Sequence, residues 1–178
     1  MNEAPGTLSG RRVLVVEDEP LIALDLESML LSLGYSVTDT ASDLPTALTL
    51  AANTSADVAL LDLMLRDKSA FEVAKLLVTR SIPVILATGM DDGFVPAMYK
   101  GLPILGKPFG IAELSAALRA VIDHPIADDH AVRLTAYFLW EHDGRPDGGA
   151  EHYWARAVAV HDRSREADDL LQRRPDPG

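Results

Sequence analysis

The chain has 178 residues, is 48% apolar and carries a net charge of −11. That is enough for one domain with a sizeable core plus a small appendage, and too little for two ordinary domains. The acidity argues against nucleic-acid binding, because residues 1–126 hold 9 Lys+Arg against 16 Asp+Glu and residues 127–178 hold 7 against 11, so neither part is basic. With no cysteine, disulfide scaffolds, thiolate zinc sites and Cys nucleophiles are excluded. No segment reaches the roughly 18 apolar residues of a membrane span, and the opening MNEAPGTLSGRR has no secretory apolar region. The expectation is a cytoplasmic protein with no membrane contact.

Residues 1–10 read as a flexible polar lead. Val13 to Val16 form a first strand that runs into Glu17-Asp18-Glu19, and Pro20 pre-sets a helix whose buried face is read from Ile22, Leu26, Met29 and Leu33. Gly34 ends it, Tyr35 to Thr40 make a second strand, and Ser42 or Asp43 caps a helix from Leu44 to Asn53. Asp57 to Asp62 is a central strand whose unbroken apolar run suits a parallel sheet covered on both faces. A loop over Leu65 to Lys68 leads to Ser69-Ala70-Phe71-Glu72, a capping box opening a helix to about Arg80.

Ile82 to Ala87 are a fourth strand, broken by Thr88-Gly89. Only 18 residues separate Thr88 from Lys107, and they include Gly89, Gly93, Pro96, Gly101, Pro103 and Gly106, so at most a short helical turn fits around Phe94 to Tyr99. A brief fifth strand near Pro103 to Leu105 precedes Lys107-Pro108-Phe109 and a helix over Gly110 to Asp123. Alternating strands and helices predict an α/β fold, a flavodoxin-like (βα)5 doubly wound parallel sheet of order 2-1-3-4-5 over residues 11–125. Residues 126–171 add a helical pair, with helices at 128–141 and 150–171, and residues 172–178 a disordered tail. Tyr137, Trp140, Tyr153 and Trp154 are expected to pack between the two helices and against the first domain or a second copy of the chain.

In that strand order Glu17, Asp18 and Asp62 arrive at one sheet edge, and three carboxylates so close call for a cation; an all-oxygen set with room for waters suits Mg2+. Asp62 can then attack a phosphoryl group, Lys107 can offset the charge that develops on its oxygens, and Thr88 can donate a hydroxyl beside the bare backbone of Gly89. Taken singly, the Glu17-Asp18-Glu19 run reads as helix N-terminal charges before it reads as a metal site, and Thr88 reads as a plain strand end as readily as a site residue. The histidines, His124, His130, His142, His152 and His161, show no ligand spacing and read as surface or cap residues, Asp91-Asp92 reads as a solvated loop pair, and Arg145, Arg156 and Arg173-Arg174 are too few and too mixed with acids for nucleic acid.

Val13-Leu14-Val15-Val16-Glu17-Asp18-Glu19-Pro20, Leu61-Asp62, Ala87-Thr88-Gly89 and Lys107-Pro108-Phe109, in this order across residues 11–123, resemble the four signatures of the receiver domain of two-component response regulators. The resemblance implies that Asp62 is the phosphoacceptor, that Glu17 and Asp18 bind Mg2+ with the Met64 backbone carbonyl, that Thr88 contacts the phosphoryl group and Lys107 pairs with it, and that the Lys107–Pro108 peptide is cis. Ile82 to Gly89 with Pro103 to Phe109 is similar to an alphaproteobacterial single-receiver group marked by Phe-Ala-Thr-Gly plus an aromatic; here Leu86 stands for the Phe and Met90 for the aromatic. Receivers usually place Tyr or Phe three residues before the lysine, and this chain has Ile104, so any output is expected to run through ordering of residues 89–103. Ala136 to Ala159, with Leu139-Trp140, Gly144-Arg145-Pro146-Asp147-Gly148 and His152-Tyr153-Trp154, resembles a short bacterial helical family of unknown function.

The expected function is a phosphorelay receiver, not an enzyme: it takes a phosphoryl group from a histidine kinase or phosphotransfer protein and signals to a downstream protein, with a homodimer as one form. The alternatives are a phosphate sink or a phosphorylation-independent interaction module. An aspartyl-phosphate hydrolase of the haloacid dehalogenase type would want a second Asp two residues after the nucleophile, where Met64 stands. A dinucleotide-binding domain would want a Gly-rich loop after strand one, and none follows.

Overall fold

The computed structural model describes residues 10–89, 95, 96, 99, 101–122 and 129–172. Five strands, β1 (Arg12–Val16), β2 (Ser36–Ala41), β3 (Val58–Asp62), β6 (Val84–Thr88) and β7 (Ile104–Gly106), form a parallel sheet in the order β2-β1-β3-β6-β7. This is the 2-1-3-4-5 order once the small antiparallel hairpin of β4 (Met64–Leu65) and β5 (Lys68–Ser69) is set aside. Helices α1 (Pro20–Ser32), α2 (Leu44–Asn53), α3 (Phe71–Thr79) and α4 (Ile111–Ile122) complete the flavodoxin-like frame, and α5 (Asp129–His142) and α6 (Ala150–Gln172) follow it.

Side chains of the inner strands alternate between two cores. Val13, Val15, Val58, Leu60 and Ile85 meet Leu26 and Leu30 of α1 and Leu114 and Leu118 of α4. Leu14, Val16, Ala59, Leu61 and Leu86 meet Ala47 and Ala51 of α2, Ala74 and Leu77 of α3, and Leu134 and Phe138 of α5. The first helix of the appended pair therefore covers the α3 side of the sheet, and α6 packs on α5.

Several local expectations are corrected. Residues 65–68 are not a plain loop but the turn of the β4–β5 hairpin, with Arg66 at φ 60°. The capping box at Ser69 does not form: Ser69 pairs with Met64, the Ala70 N–H donates to the Leu63 carbonyl, and Ala70 caps α3 without a side-chain bond. Between the two candidate caps of α2 it is Asp43 that accepts from the Thr46 N–H. The buried face of α1 is Ala23, Leu26 and Leu30, with Ile22, Met29 and Leu33 flanking it. Strand ends shift by a residue or two: β2 and β7 each end one residue later than expected, and β6 begins at Val84 and takes in Thr88.

His161 is buried, not a surface residue, and its Nε2 lies 2.9 Å from Thr135 Oγ1. Trp154, expected in the helical interface, is exposed, because the inward positions of α6 are Tyr153, Ala157 and His161 at helical spacing. Gln172 is the last residue of α6. The lead at 1–9, the Phe94 turn, Asp91-Asp92, the helix end at His124 and the residues after 172 lie outside the described residues, as does the side chain of His130.

Leu118 is fully buried between α4 and the sheet. Leu118→Ala is expected to lower stability by about 3 kcal/mol, read from urea unfolding with an unchanged slope.

Candidate functional site

Register sets the site. Val16 pairs with Leu61, so the residues leaving β1, Glu17 and Asp18, stand beside the end of β3, where Asp62 sits. On the other side Asp62 pairs with Ala87, one residue before Thr88. Thr88 pairs with Gly106, and the Lys107 N–H donates to the Thr88 carbonyl at 2.7 Å. Four strand ends thus converge, as parallel sheets arrange their sites, and the Lys107–Pro108 peptide that follows is cis.

The carboxylate oxygens of Glu17, Asp18 and Asp62 lie within 4.8 Å of one another, a set that could hold a metal ion. Lys107 Nζ bridges two of them, at 2.6 Å from Glu17 Oε2 and 2.5 Å from Asp62 Oδ2. The remaining oxygens are held by backbone. Asp62 Oδ1 accepts from the Met64 N–H at 2.9 Å, Glu17 Oε1 from the Glu19 N–H at 3.3 Å, and Asp18 Oδ2 from the Arg66 N–H at 2.9 Å. The last of these was not legible in sequence, since it depends on the left-handed turn at Arg66.

Glu17 is 1% exposed. Burial pushes its carboxyl above the usual range, and the hydrogen bond and charge of Lys107 only partly oppose this. For Lys107, burial alone would lower the value, but its bonds to Asp62 and Glu17 outweigh burial and hold the ammonium above its ordinary value. One cation is shared by two acids, so it stays charged while the deeper acid is left short of compensation. Thr88 is also buried at the edge of the site, and Met64, half-buried, begins the hairpin that follows Asp62.

Beyond the site, the conspicuous residues of the second segment serve its own turn. Trp140 Nε1 donates to the Pro146 carbonyl, Arg145 bonds Glu141 and lies over the Trp140 ring, and Asp143 accepts from Arg156 and Tyr153. Arg145 and Arg156 are thereby paired with acids. Among the described residues no helix is long and apolar enough to cross a membrane.

An acidic pocket at the carboxyl edge of a flavodoxin-like sheet, closed by a lysine from the last strand, defines a class of α/β phosphoryl- and metal-handling domains. The chain belongs to the response regulator receiver domain family, whose model matches residues 13–119. Residues 127–159 match a family described only as a protein of unknown function. The sensory transduction protein RegX3 of Mycolicibacterium smegmatis is 37% identical over 123 residues, 67% of this chain and 54% of that protein. The chain thus spans about half the length of that relative. Among solved structures, SdrG from Sphingomonas melonis Fr1 is 36% identical with a TM-score of 0.58, over 63% of this chain and 96% of that one. The receiver domain of sensor histidine kinase PA1611 from Pseudomonas aeruginosa PAO1, with magnesium coordinated in its active-site cleft, is 29% identical with a TM-score of 0.54, over 63% of this chain and 97% of that one.

Because the folded-state value of Glu17 lies above the unfolded one, its contribution to stability is present at low pH and is lost as pH rises from the ordinary carboxylate value through the raised one. Glu17→Gln is expected to flatten that decline, seen as urea midpoints that no longer fall across the same pH interval.

Proposed function

We propose that Asp62 accepts a phosphoryl group from a histidine kinase or phosphotransfer protein, and that the phosphorylated chain signals through protein contacts. The observation that carries this is the convergence of Glu17, Asp18, Asp62 and Lys107 on one pocket at the strand ends. Glu17, Asp18, Asp62 and the Met64 carbonyl are the ligands proposed for Mg2+, and an all-oxygen donor set fits that ion. When bound, the ion draws charge off the transferring phosphoryl oxygens.

The protein's own groups account for the rest. Asp62 Oδ1 is fixed by the Met64 N–H, which leaves Oδ2, the atom now on Lys107, as the nucleophile. An Asp62 oxygen–phosphorus bond forms and the donor's nitrogen–phosphorus bond breaks, and the donor ring, protonated on its other nitrogen, leaves as a neutral imidazole. The Lys107 ammonium must then turn from Oδ2 to a phosphoryl oxygen, a short movement for a side chain already in place, and Thr88 donates its hydroxyl to another. The reaction ends on the chain's own side chain, so the protein is a phosphoacceptor and not an enzyme with turnover. Protein contacts are supported by α1, which keeps Leu21, Leu24 and Leu31 exposed on one helical face. The cleft lined by Glu19, Ile22, Asp25, Lys107 and Phe109 runs between α1 and the site.

Incubation with acetyl phosphate and Mg2+ is expected to add the mass of one phosphoryl group, with none added to Asp62→Asn or without the metal. An intact protein that takes no label under any condition would instead indicate a phosphorylation-independent interaction module. The Arg66 turn gives a second test: Arg66→Pro loses the N–H on Asp18 and cannot take φ 60°, and should weaken Mg2+ binding by about tenfold. Arg66→Gly, which keeps both, should leave calorimetric Mg2+ affinity unchanged.

A further inference from the structure

The first appended helix, α5, packs on α3. Phe138 is 2% exposed and Leu134 3%. The Phe138 ring lies 5.9 Å from that of Tyr99, which is stacked at 4.7 Å on Phe71. Tyr99 also donates its hydroxyl to the Phe71 carbonyl at 3.1 Å. Lys75 of α3 sits 5.1 Å over the Phe138 ring and bonds Glu141 at 2.8 Å. The seat of α5 is thus two aromatic rings and one cation, read by a helix as Leu134, Phe138 and Glu141 at i, i+4 and i+7.

The two rings come from different places. Phe71 follows Asp62 by nine residues, through the β4–β5 hairpin, and Tyr99 lies in the span whose ends are Thr88 and Lys107. Both connections therefore start at the proposed phosphoryl site. Packed rings fit one arrangement and do not deform smoothly, so a shift of either connection spoils the seat of Phe138. Beyond the rings α5 is held to α3 by the buried Leu134 side chain, by a part-exposed ion pair and by the Thr135 hydroxyl on the Val78 carbonyl at 3.5 Å.

We propose that α3, Phe71 and Tyr99 form a helix-docking groove that α5 fills in cis, and that phosphorylation of Asp62 loosens α5 and opens the groove to an amphipathic helix of a partner protein that presents an aromatic and an acid three residues on. This rests on the phosphoacceptor reading. The test is amide hydrogen exchange of the full chain with and without acetyl phosphate and Mg2+, with intact mass read on the same samples. The expected result is exchange in 132–142 at least about tenfold faster in the labelled protein, with α4 unchanged. Full labelling with unchanged exchange in α5 overturns the groove inference and leaves the phosphoacceptor reading standing. Absence of any label sinks that reading and this inference with it. Phe138→Ala and the milder Glu141→Gln should speed exchange in α5 without phosphate, and by reciprocity should tighten binding of beryllofluoride with Mg2+ by about fivefold. Loosened α5 with unchanged beryllofluoride affinity would reduce the contact to a structural one.

Discussion

Everything at the site follows from one shared ammonium. Glu17, Asp18 and Asp62 are driven together by strand register, not by attraction, and Lys107 is the charge that makes their convergence tolerable, at 2.6 and 2.5 Å from two of the three. The lysine reaches them because β7 pairs with β6 and delivers position 107 beside Thr88. A sheet with one strand out of order would leave an uncompensated acid patch, so topology and electrostatics are a single constraint. The proposed chemistry uses the same tension: a pocket balanced by a movable cation can exchange that balance for a metal ion and a phosphoryl group.

The sheet was legible because its signals are strong ones. A continuous apolar run ending in an acid has few meanings, and Val58 to Asp62 kept the one expected, as did the pairing of β1 with β3 that brings Glu17 and Asp18 to it. The misreadings are places where a local rule met tertiary competition. Ser69 looked like a capping residue, but its backbone was already committed to Met64 across a hairpin. That hairpin was invisible because Arg66 adopts a left-handed turn without the glycine or asparagine that usually announces one. Likewise His161 has nothing in its neighbours to mark it as buried; its burial comes from α6 meeting α5.

The second segment shows the difference between a motif that carries chemistry and one that carries shape. Trp140, Arg145, Pro146, Asp143, Tyr153 and Arg156 are unusual residues, yet each has a partner within the same helix–turn–helix. Their task is to fold the chain back so that α6 supports α5 against the sheet. What faces the receiver is a different and plainer set, Leu134 and Phe138 with Glu141 at the rim, which no sequence motif singles out.

The seating of α5 also bears on where this protein can be divided. The family match ends at residue 119 and α4 at Ile122, which invites cutting there to obtain a minimal receiver. Such a fragment would keep every residue of the pocket but would bare the stacked rings of Phe71 and Tyr99, which Phe138 of α5 covers in the intact chain. Self-association or poor solubility of the shortened protein would then report on the missing cover, and a dimer seen only in the fragment would be an artefact of the boundary.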